Sequence, residues 1–313
     1  MIQTPAPPLP RRHGRAAALP RRAVAHGARP PVPPPCPPAD ASPAGRVLSP
    51  AVPRPQRPRR HKTARTVIAL MLREMATSYG RSPGGYLWAL LEPIAAIALL
   101  SLVFSLALRS PSLGDNFPLF YASAYLPFAL YVGLSNKISQ AIRFSKPLLA
   151  YPAVTFVDAI AARFLLNLMT HAVVSVIVIA GIAVLFDLRL MLDMPGVLLA
   201  YGLGALLGLG IGTLNCFIGS LVPIWAHVWA IVNRPLFLIS GIFFIYEDLP
   251  ATFRDIVWWN PLFHVTGLMR RAVYPTYDAA YASVGYTAGV GAVCLAFGLL
   301  LLGRYHRYIL TIR

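Results

Sequence analysis

Charged side chains inside apolar segments are the first candidates for function in this sequence. Glu92 lies about seven residues into one apolar run and Arg234 about eight into another, so each is roughly 10–12 Å along its helix. A charge at the centre of a spanning helix costs about 2.5–3.5 kcal/mol on insertion scales. We therefore predict that both side chains face each other or a wet pathway. A gate, a structural ion pair, and attraction of Arg234 to a lipid phosphate on a substrate are the open interpretations.

A second group of reactive side chains lies between residues 247 and 278. It includes Glu247, Asp248, Asp255 and His264. A carboxylate beside a histidine can perform general acid–base catalysis, so a membrane enzyme is one interpretation. The segment is short, however, and its acids are balanced by three arginines, Arg254, Arg270 and Arg271.

The remaining sequence argues against catalysis and metal binding. It contains no Gly-x-x-x-x-Gly-Lys-Ser/Thr loop, the usual cradle for the phosphates of ATP. The seven histidines are isolated, and the three cysteines (Cys36, Cys216 and Cys294) have no metal-site or redox spacing. We expect no catalytic residue, no metal ion and no cofactor on this chain.

The composition is that of a membrane protein. Hydrophobic residues make up 57% of the 313 residues and charged residues 12%, and the mean hydropathy is +0.60. Soluble domains are usually about 45–50% apolar and about 25% charged.

The strong positive charge belongs to the N-terminal part of the chain. Residues 1–81 hold 15 of the 28 Lys and Arg residues, and residues 1–60 hold 17 of the 30 prolines. We predict that residues 1–60 are a disordered cytoplasmic tail and that residues 61–313 form the transmembrane domain. Beside a membrane domain, anionic lipid headgroups are a nearer partner for such a tail than nucleic acid.

The hydropathy pattern predicts an all-α membrane protein. Residues 62–80 have apolar positions at helical spacing, with Arg65, Arg73 and Glu74 among the polar ones, which is typical of an amphipathic interfacial helix. Six spans are predicted after it, at residues 86–108, 117–135, 160–186, 196–220, 226–246 and 281–303. Basic residues concentrate in the tail, the 136–159 loop and the C-terminus, so both termini are predicted to be cytoplasmic.

Two of the connecting segments carry further predictions. Lys146, Pro147, Leu148, Leu149, Ala150, Tyr151 and Pro152 (the coupling segment) combine charge with a small apolar cluster. That combination suits a cytosolic knob that docks on an ATPase, although an ordinary positive-inside loop explains it equally well. In the 247–278 segment, Trp258 and Trp259 are typical of short periplasmic helices at the outer headgroups. Simple anchoring and stacking against a sugar chain are the two interpretations of these rings.

The order of residues 235–270 (the signature segment) carries a family resemblance. An apolar run ends at Ser240-Gly241, followed by Leu249-Pro250, then Asn260-Pro261-Leu262-Phe263-His264, and finally Arg270. Further matches are Gly85-Tyr86-Leu87-Trp88, Leu149-Ala150-Tyr151-Pro152, Asp158 and Arg163. Together these motifs resemble type-2 ABC exporter permeases, specifically those of capsular polysaccharide export. The resemblance covers about residues 62–313.

The resemblance implies a permease that acts as a homodimer with two copies of a separate ABC ATPase, on which ATP binds. Its cargo would be a lipid-linked polysaccharide crossing the bacterial inner membrane, passed on to periplasmic and outer-membrane proteins. Since the first and fifth spans line the path in that family, Tyr86, Trp88, Glu92 and Arg234 become candidate path residues. Trp258 and Trp259 are candidates because their rings could stack against the sugar chain as it leaves the path. O-antigen, teichoic acid or another cargo, and a membrane-bound polysaccharide-modifying enzyme, are the alternatives.

Overall fold

The computed structural model describes residues 62–78, 85–149 and 154–311, and every regular element within these ranges is helical. The predicted all-α fold class is therefore confirmed for the described part. The predicted tail, residues 79–82 and Ala150, Tyr151 and Pro152 lie outside the described residues.

Ten α-helices and one 3₁₀ turn follow one another in the described ranges. They are α1 (Lys62–Ser78), α2 (Gly85–Ala107), α3 (Phe117–Ser139), α4 (Ala141–Leu149), α5 (Phe156–Leu185), α6 (Met194–Leu221), α7 (Trp225–Ile239), the 3₁₀ turn (Tyr246–Asp248), α8 (Ala251–Trp258), α9 (Pro261–Val273) and α10 (Val284–Thr311).

Five of the described segments are long and apolar enough to cross a membrane. They are α2, α3 continued by α4, α5, α6 and α10, and they match the first four predicted spans and the sixth. The second span continues through Pro127, which lies inside α3 without ending it.

The fifth predicted span, residues 226–246, is wrong in its length. α7 stops at Ile239 after 15 residues, or roughly 22 Å at 1.5 Å per residue. The hydrocarbon core of a bilayer is about 30 Å thick. The sixth span is therefore not confirmed, although the apolar run continues for several residues beyond α7.

The core is built around α6, which α3, α9 and α10 contact on different sides. Where α6 meets α10, a side chain on Gly210 would collide with the carbonyl oxygen of Gly291, so the two backbones approach closely. α9 is almost wholly buried. The short helices before the last span therefore exist as predicted, but α9 packs inside the protein, whereas a headgroup helix would keep one exposed face.

The N-terminal helix α1 packs on α5. Ile68 and Leu72 are exposed, whereas Leu70 and Glu74 are buried. The prediction that placed Glu74 among the outward polar positions is wrong, because its carboxylate faces α5.

Candidate functional site

The signature segment folds back on itself directly after α7. Gly241 has a φ of +73°, and a Cβ there would lie 2.6 Å from the Phe263 ring. Only glycine adopts this left-handed conformation without strain and leaves room for the ring. The Ser240-Gly241 pair therefore reverses the chain, and residues 242–245 then run beside α9.

The side chain of Arg270 holds residues 242–245 in place through hydrogen bonds to their backbone. Its side chain is 2% exposed, and it donates from Nη1 to the Phe244 carbonyl (2.7 Å) and from Nη2 to the Ile242 carbonyl (3.0 Å). The guanidinium also lies 4.2 Å from the centre of the Phe120 ring on α3. Burial lowers the pKa of Arg270 to about 10, so it stays charged at neutral pH. Arg270 thus connects α9 with α3 and with residues 242–245.

His264 uses both ring nitrogens for backbone hydrogen bonds. Nδ1 accepts from the Ser283 N–H (3.1 Å), so Nε2 carries the proton and donates to the Trp258 carbonyl (2.7 Å). Burial lowers the pKa of His264 below its usual 6.5, which favours this neutral form. The ring joins the end of α8 to the start of α10 and binds no carboxylate.

Two polar side chains, one at the N-cap of α9 and one within α9, bind the backbone at the end of α7. The Asn260 side chain caps α9 by accepting from the Leu262 N–H (3.1 Å), and it donates to the Ile239 carbonyl (3.0 Å). Thr266 donates from Oγ1 to the Ser240 carbonyl (2.8 Å). No role for Thr266 was predicted from the sequence. The signal for the helix cap was the Asn-Pro pair, which is typical of a helix start.

The other signature residues lie around this hinge. Pro250 precedes α8, the Leu249 carbonyl accepts from Arg254 Nε (2.7 Å), Pro261 begins α9, and Leu262 is buried. Every contact described for the signature segment therefore stabilises the fold. The segment builds a hydrogen-bonded hairpin that fills the space beyond the short α7.

The structure brings together no acid–histidine pair in the 247–278 segment. Glu247, Asp248 and Asp255 are exposed, and Glu247 accepts from the Tyr277 hydroxyl (3.0 Å). Since both nitrogens of His264 are bonded to the backbone, the general base that an enzyme would need is not formed by these residues.

The candidate path residues fall into separate places. Trp88 and Glu92, both exposed, line a cavity of about 590 Å³ between α2, α3, α5 and α7. Arg234 is also exposed, and neither of the two salt bridges among the described residues contains it or Glu92. The predicted ion pair is thus not formed within one chain. That Glu92 faces a wet pathway stays a prediction. The side chain of Tyr86 lies outside the described residues.

Trp258, the last residue of α8, and Trp259, which follows it, have different environments. Trp258 stacks on Tyr286 with ring centroids 5.2 Å apart, and Tyr286 donates to the Trp259 carbonyl (2.7 Å). The Trp259 side chain is 69% exposed. Trp258 therefore has a packing role, whereas most of the Trp259 side chain is exposed.

The first half of the coupling segment ends α4. Lys146 and Pro147 lie inside α4, Leu148 is half-buried, and Leu149 packs against the core formed by α3, α5 and α6. The next described residues begin a capping box, in which Thr155 and Asp158 start α5.

A buried ion pair between α1 and α5 lies next to α4. Glu74 of α1 and Arg163 of α5 lie 3.1 Å apart. Arg163 also donates to the Lys137 carbonyl (2.6 Å) and lies 4.4 Å from the centre of the Phe144 ring. Burial raises the pKa of Glu74 despite this partner. Glu74 and Arg163 were both named from the sequence, but their pairing was not predicted, because the two residues are far apart in the chain.

Apolar helices of spanning length, packed around a buried hairpin, define a helical membrane protein. Residues 65–274 match the family model described as ABC-2 type transporter, and the chain belongs to that family.

Similar proteins come from several bacteria. The chain is 32% identical over 236 residues to the polysialic acid transport protein KpsM of Escherichia coli, covering 75% of this chain and 92% of the relative. It is 24% identical over 243 residues to the capsule polysaccharide export inner-membrane protein BexB of Haemophilus influenzae. It is 25% identical over 243 residues to the corresponding protein CtrC of Neisseria meningitidis serogroup A. The last two alignments each cover 78% of this chain and 92% of the relative.

Proposed function

We propose that this protein is the permease subunit of an ABC transporter that exports lipid-linked capsular polysaccharide across the bacterial inner membrane. The observation that carries the proposal is the similarity to three proteins of polysaccharide export over 92% of their length. The five apolar helices provide the membrane domain that such a subunit requires.

ATP hydrolysis belongs to a separate ABC ATPase in this proposal. α4 and the coupling segment dock on that ATPase, and the Glu74–Arg163 pair links their movement to α1 and α5. The buried pair supports this role because it holds α4 against helices that enter the membrane domain.

Two copies of the chain form the transporter. α7 has no buried residue within one chain, and Trp88 and Leu91 of α2 are exposed. Apolar faces without an intrachain partner favour a homodimer in which α2 and α7 surround the path. Glu92, Arg234 and Trp259 are the path residues of this arrangement.

The termini lie on the cytoplasmic side in this proposal, and α1 lies in the membrane interface. The basic residues Arg143 and Lys146 are close to the C-terminal end of α10, since both line one cavity with Ile309. The opposite end carries Asp187, Asp193 and Glu247. Positive charge concentrated at one end favours that end as the inside.

Complementation of a gene deletion tests the proposed function. We expect the deletion strain to lose its surface polysaccharide and to accumulate polymer inside, and the full chain to restore the surface polymer. Loss of O-antigen or teichoic acid with the capsule intact would instead assign one of the alternative cargos. Altered sugar structure with normal surface amounts would identify a polysaccharide-modifying enzyme and contradict the proposal.

A further inference from the structure

A polar cavity of about 560 Å³ opens where α3, α6 and α10 end and α7 begins. Side chains from α3, α4, α6 and α7 surround it, including Asn136, Arg143, Lys146, Asn215, Trp225 and Trp229. None of these residues belongs to the hairpin of the signature segment. Asn136 also lines the cavity that contains Glu92, but Glu92 does not line this one.

The charge of this cavity is positive. Arg143 and Lys146 lie one turn apart on α4, and the described lining contains no aspartate or glutamate. Cationic side chains in a cleft with apolar walls create a positive potential that concentrates anions.

Two buried hydrogen-bond donors point to the same kind of ligand. Asn215 is 4% exposed, and its Oδ1 accepts from Trp225 Nε1 (2.9 Å). Its Nδ2 group has no hydrogen-bond partner among the described residues, and neither has the buried Nε1 of Trp229. Buried donors are nearly always satisfied in native proteins, so a ligand with acceptor oxygens would account for both.

The depth of these donors matches the boundary between headgroups and hydrocarbon. α6 has 28 residues, so it is roughly 42 Å long and extends beyond a hydrocarbon core of about 30 Å at both ends. Asn215 lies roughly 9 Å before the end of α6, and Trp229 roughly 6 Å after the start of α7. A lipid phosphate reaches this level from within the leaflet, whereas a soluble anion must leave water.

We propose that this cavity binds the phosphate-bearing headgroup of a lipid. Arg143 and Lys146 pair with the phosphate oxygens, and Asn215 and Trp229 donate hydrogen bonds to them. The rings of Trp225 and Trp229, with centroids 6.4 Å apart and planes 24° apart, cover the glycerol and the first methylenes. Use of the site by the lipid anchor of the cargo rests on the proposed function, whereas the phosphate chemistry does not.

Lipid binding to the purified full-length chain tests the site. Native mass spectrometry would measure the affinity for phosphatidylglycerol of the wild type, of Trp229→Phe, and of the double variant Arg143→Gln with Lys146→Gln. We expect a loss of about tenfold in the double variant and about threefold in Trp229→Phe, which keeps the ring but removes the donor. The control variant Arg189→Gln replaces an exposed cation just beyond the C-terminal end of α5. It should bind the lipid as the wild type does.

Charge-conserving and phosphate-free controls keep the proposal falsifiable. The double variant Arg143→Lys with Lys146→Arg should retain most of the affinity. Diacylglycerol, which lacks the phosphate, should bind at least about tenfold more weakly than phosphatidylglycerol. Unchanged phosphatidylglycerol affinity in both the Gln double variant and Trp229→Phe would overturn the site. Displacement of the lipid by inorganic phosphate at equal concentration would show a free-anion site and overturn the lipid assignment.

Export by Trp229→Phe separates the two sources of the lipid, since this residue lies outside the coupling segment. Reduced surface polysaccharide together with reduced affinity assigns the site to the lipid anchor of the cargo. Reduced affinity with normal export assigns it to a phospholipid of the membrane. If the wild-type chain itself fails to restore surface polysaccharide, the proposed function is contradicted while the binding result stands.

Discussion

Individual residues of the signature segment act through the backbone groups that they bond. Arg270, His264, Asn260 and Thr266 each reach a carbonyl or an N–H more than one helical turn away. Such groups are costly when buried without a partner, so each side chain stabilises a backbone that no regular element would satisfy. The motif is therefore a folding requirement of the hairpin after α7.

Arg270→Lys should destabilise the protein by about 1.5–3 kcal/mol, because one ammonium cannot keep both charge-assisted bonds to Ile242 and Phe244. The thermal unfolding midpoint of the purified protein measures the change. The neighbouring Arg271 is the matched control, since it is exposed and its contact with Asp278 is 3.8 Å long. Equal midpoints for Arg270→Lys and Arg271→Lys would disprove the anchoring role.

Stability should fall as the pH drops below about 6.5, in part because of His264. Burial lowers its pKa in the folded state, so the unfolded chain takes up the proton first and acid favours unfolding. The unfolding midpoint at pH 7.5 and pH 5.0 gives the size of the effect for the wild type and for His264→Gln. We expect a smaller drop in the variant, and the same drop in both proteins would exclude His264 as a contributor.

At the scale of elements, the shortness of α7 explains the structure that follows it. A helix of 15 residues leaves part of the membrane thickness unfilled. Residues 242–245 run beside α9, and α9 packs against α3 and α6, where Val265 lies near Gly204. The hairpin thus completes the protein on the side where α7 stops.

Leu148→Asp should uncouple ATP hydrolysis from export while membrane insertion stays normal. Leu148 is the better test position in the coupling segment, because Leu149 packs on the core and its replacement would also weaken the fold. Surface polysaccharide and the ATPase activity of the assembled transporter are the two measurements. Met191→Asp, an exposed apolar residue at the opposite end, serves as the control, and normal export by Leu148→Asp would refute the coupling role.

At the scale of the whole molecule, the buried core and the exposed faces divide the helices into two groups. α3, α6 and α9 supply most of the buried residues, whereas α5 and α10 are one-sixth buried within their most apolar windows. The described chain thus leaves much of the apolar surface of α5 and α10 exposed.

Deleting residues 1–60 should leave export intact, because the matched family region begins at residue 65. The amount of protein retained in the membrane is expected to decrease, since the arginines of the tail attract anionic lipid. Surface polysaccharide and membrane abundance of the truncated and full chains test this expectation. A truncated chain that inserts normally and exports nothing would assign the tail an essential role.

The sequence by itself determined where most helices lie and to which family the chain belongs. Hydropathy is a local property, so α2, α3, α5, α6 and α10 follow directly from apolar runs of sufficient length. The family motifs are equally local, since Asn260-Pro261 marks a helix start from two adjacent residues.

Only the tertiary structure decided where α7 ends and which charges meet. The apolar run continues past Ile239, but Asn260 and Thr266, more than 20 residues later, stabilise the reversal at Gly241. In the same way, Glu74 pairs with Arg163 of a distant helix, while Glu92 and Arg234 form no ion pair within the chain. These outcomes depend on which helices pack together. Periodicity reports how buried a helix face is, but it does not identify the partner that covers that face.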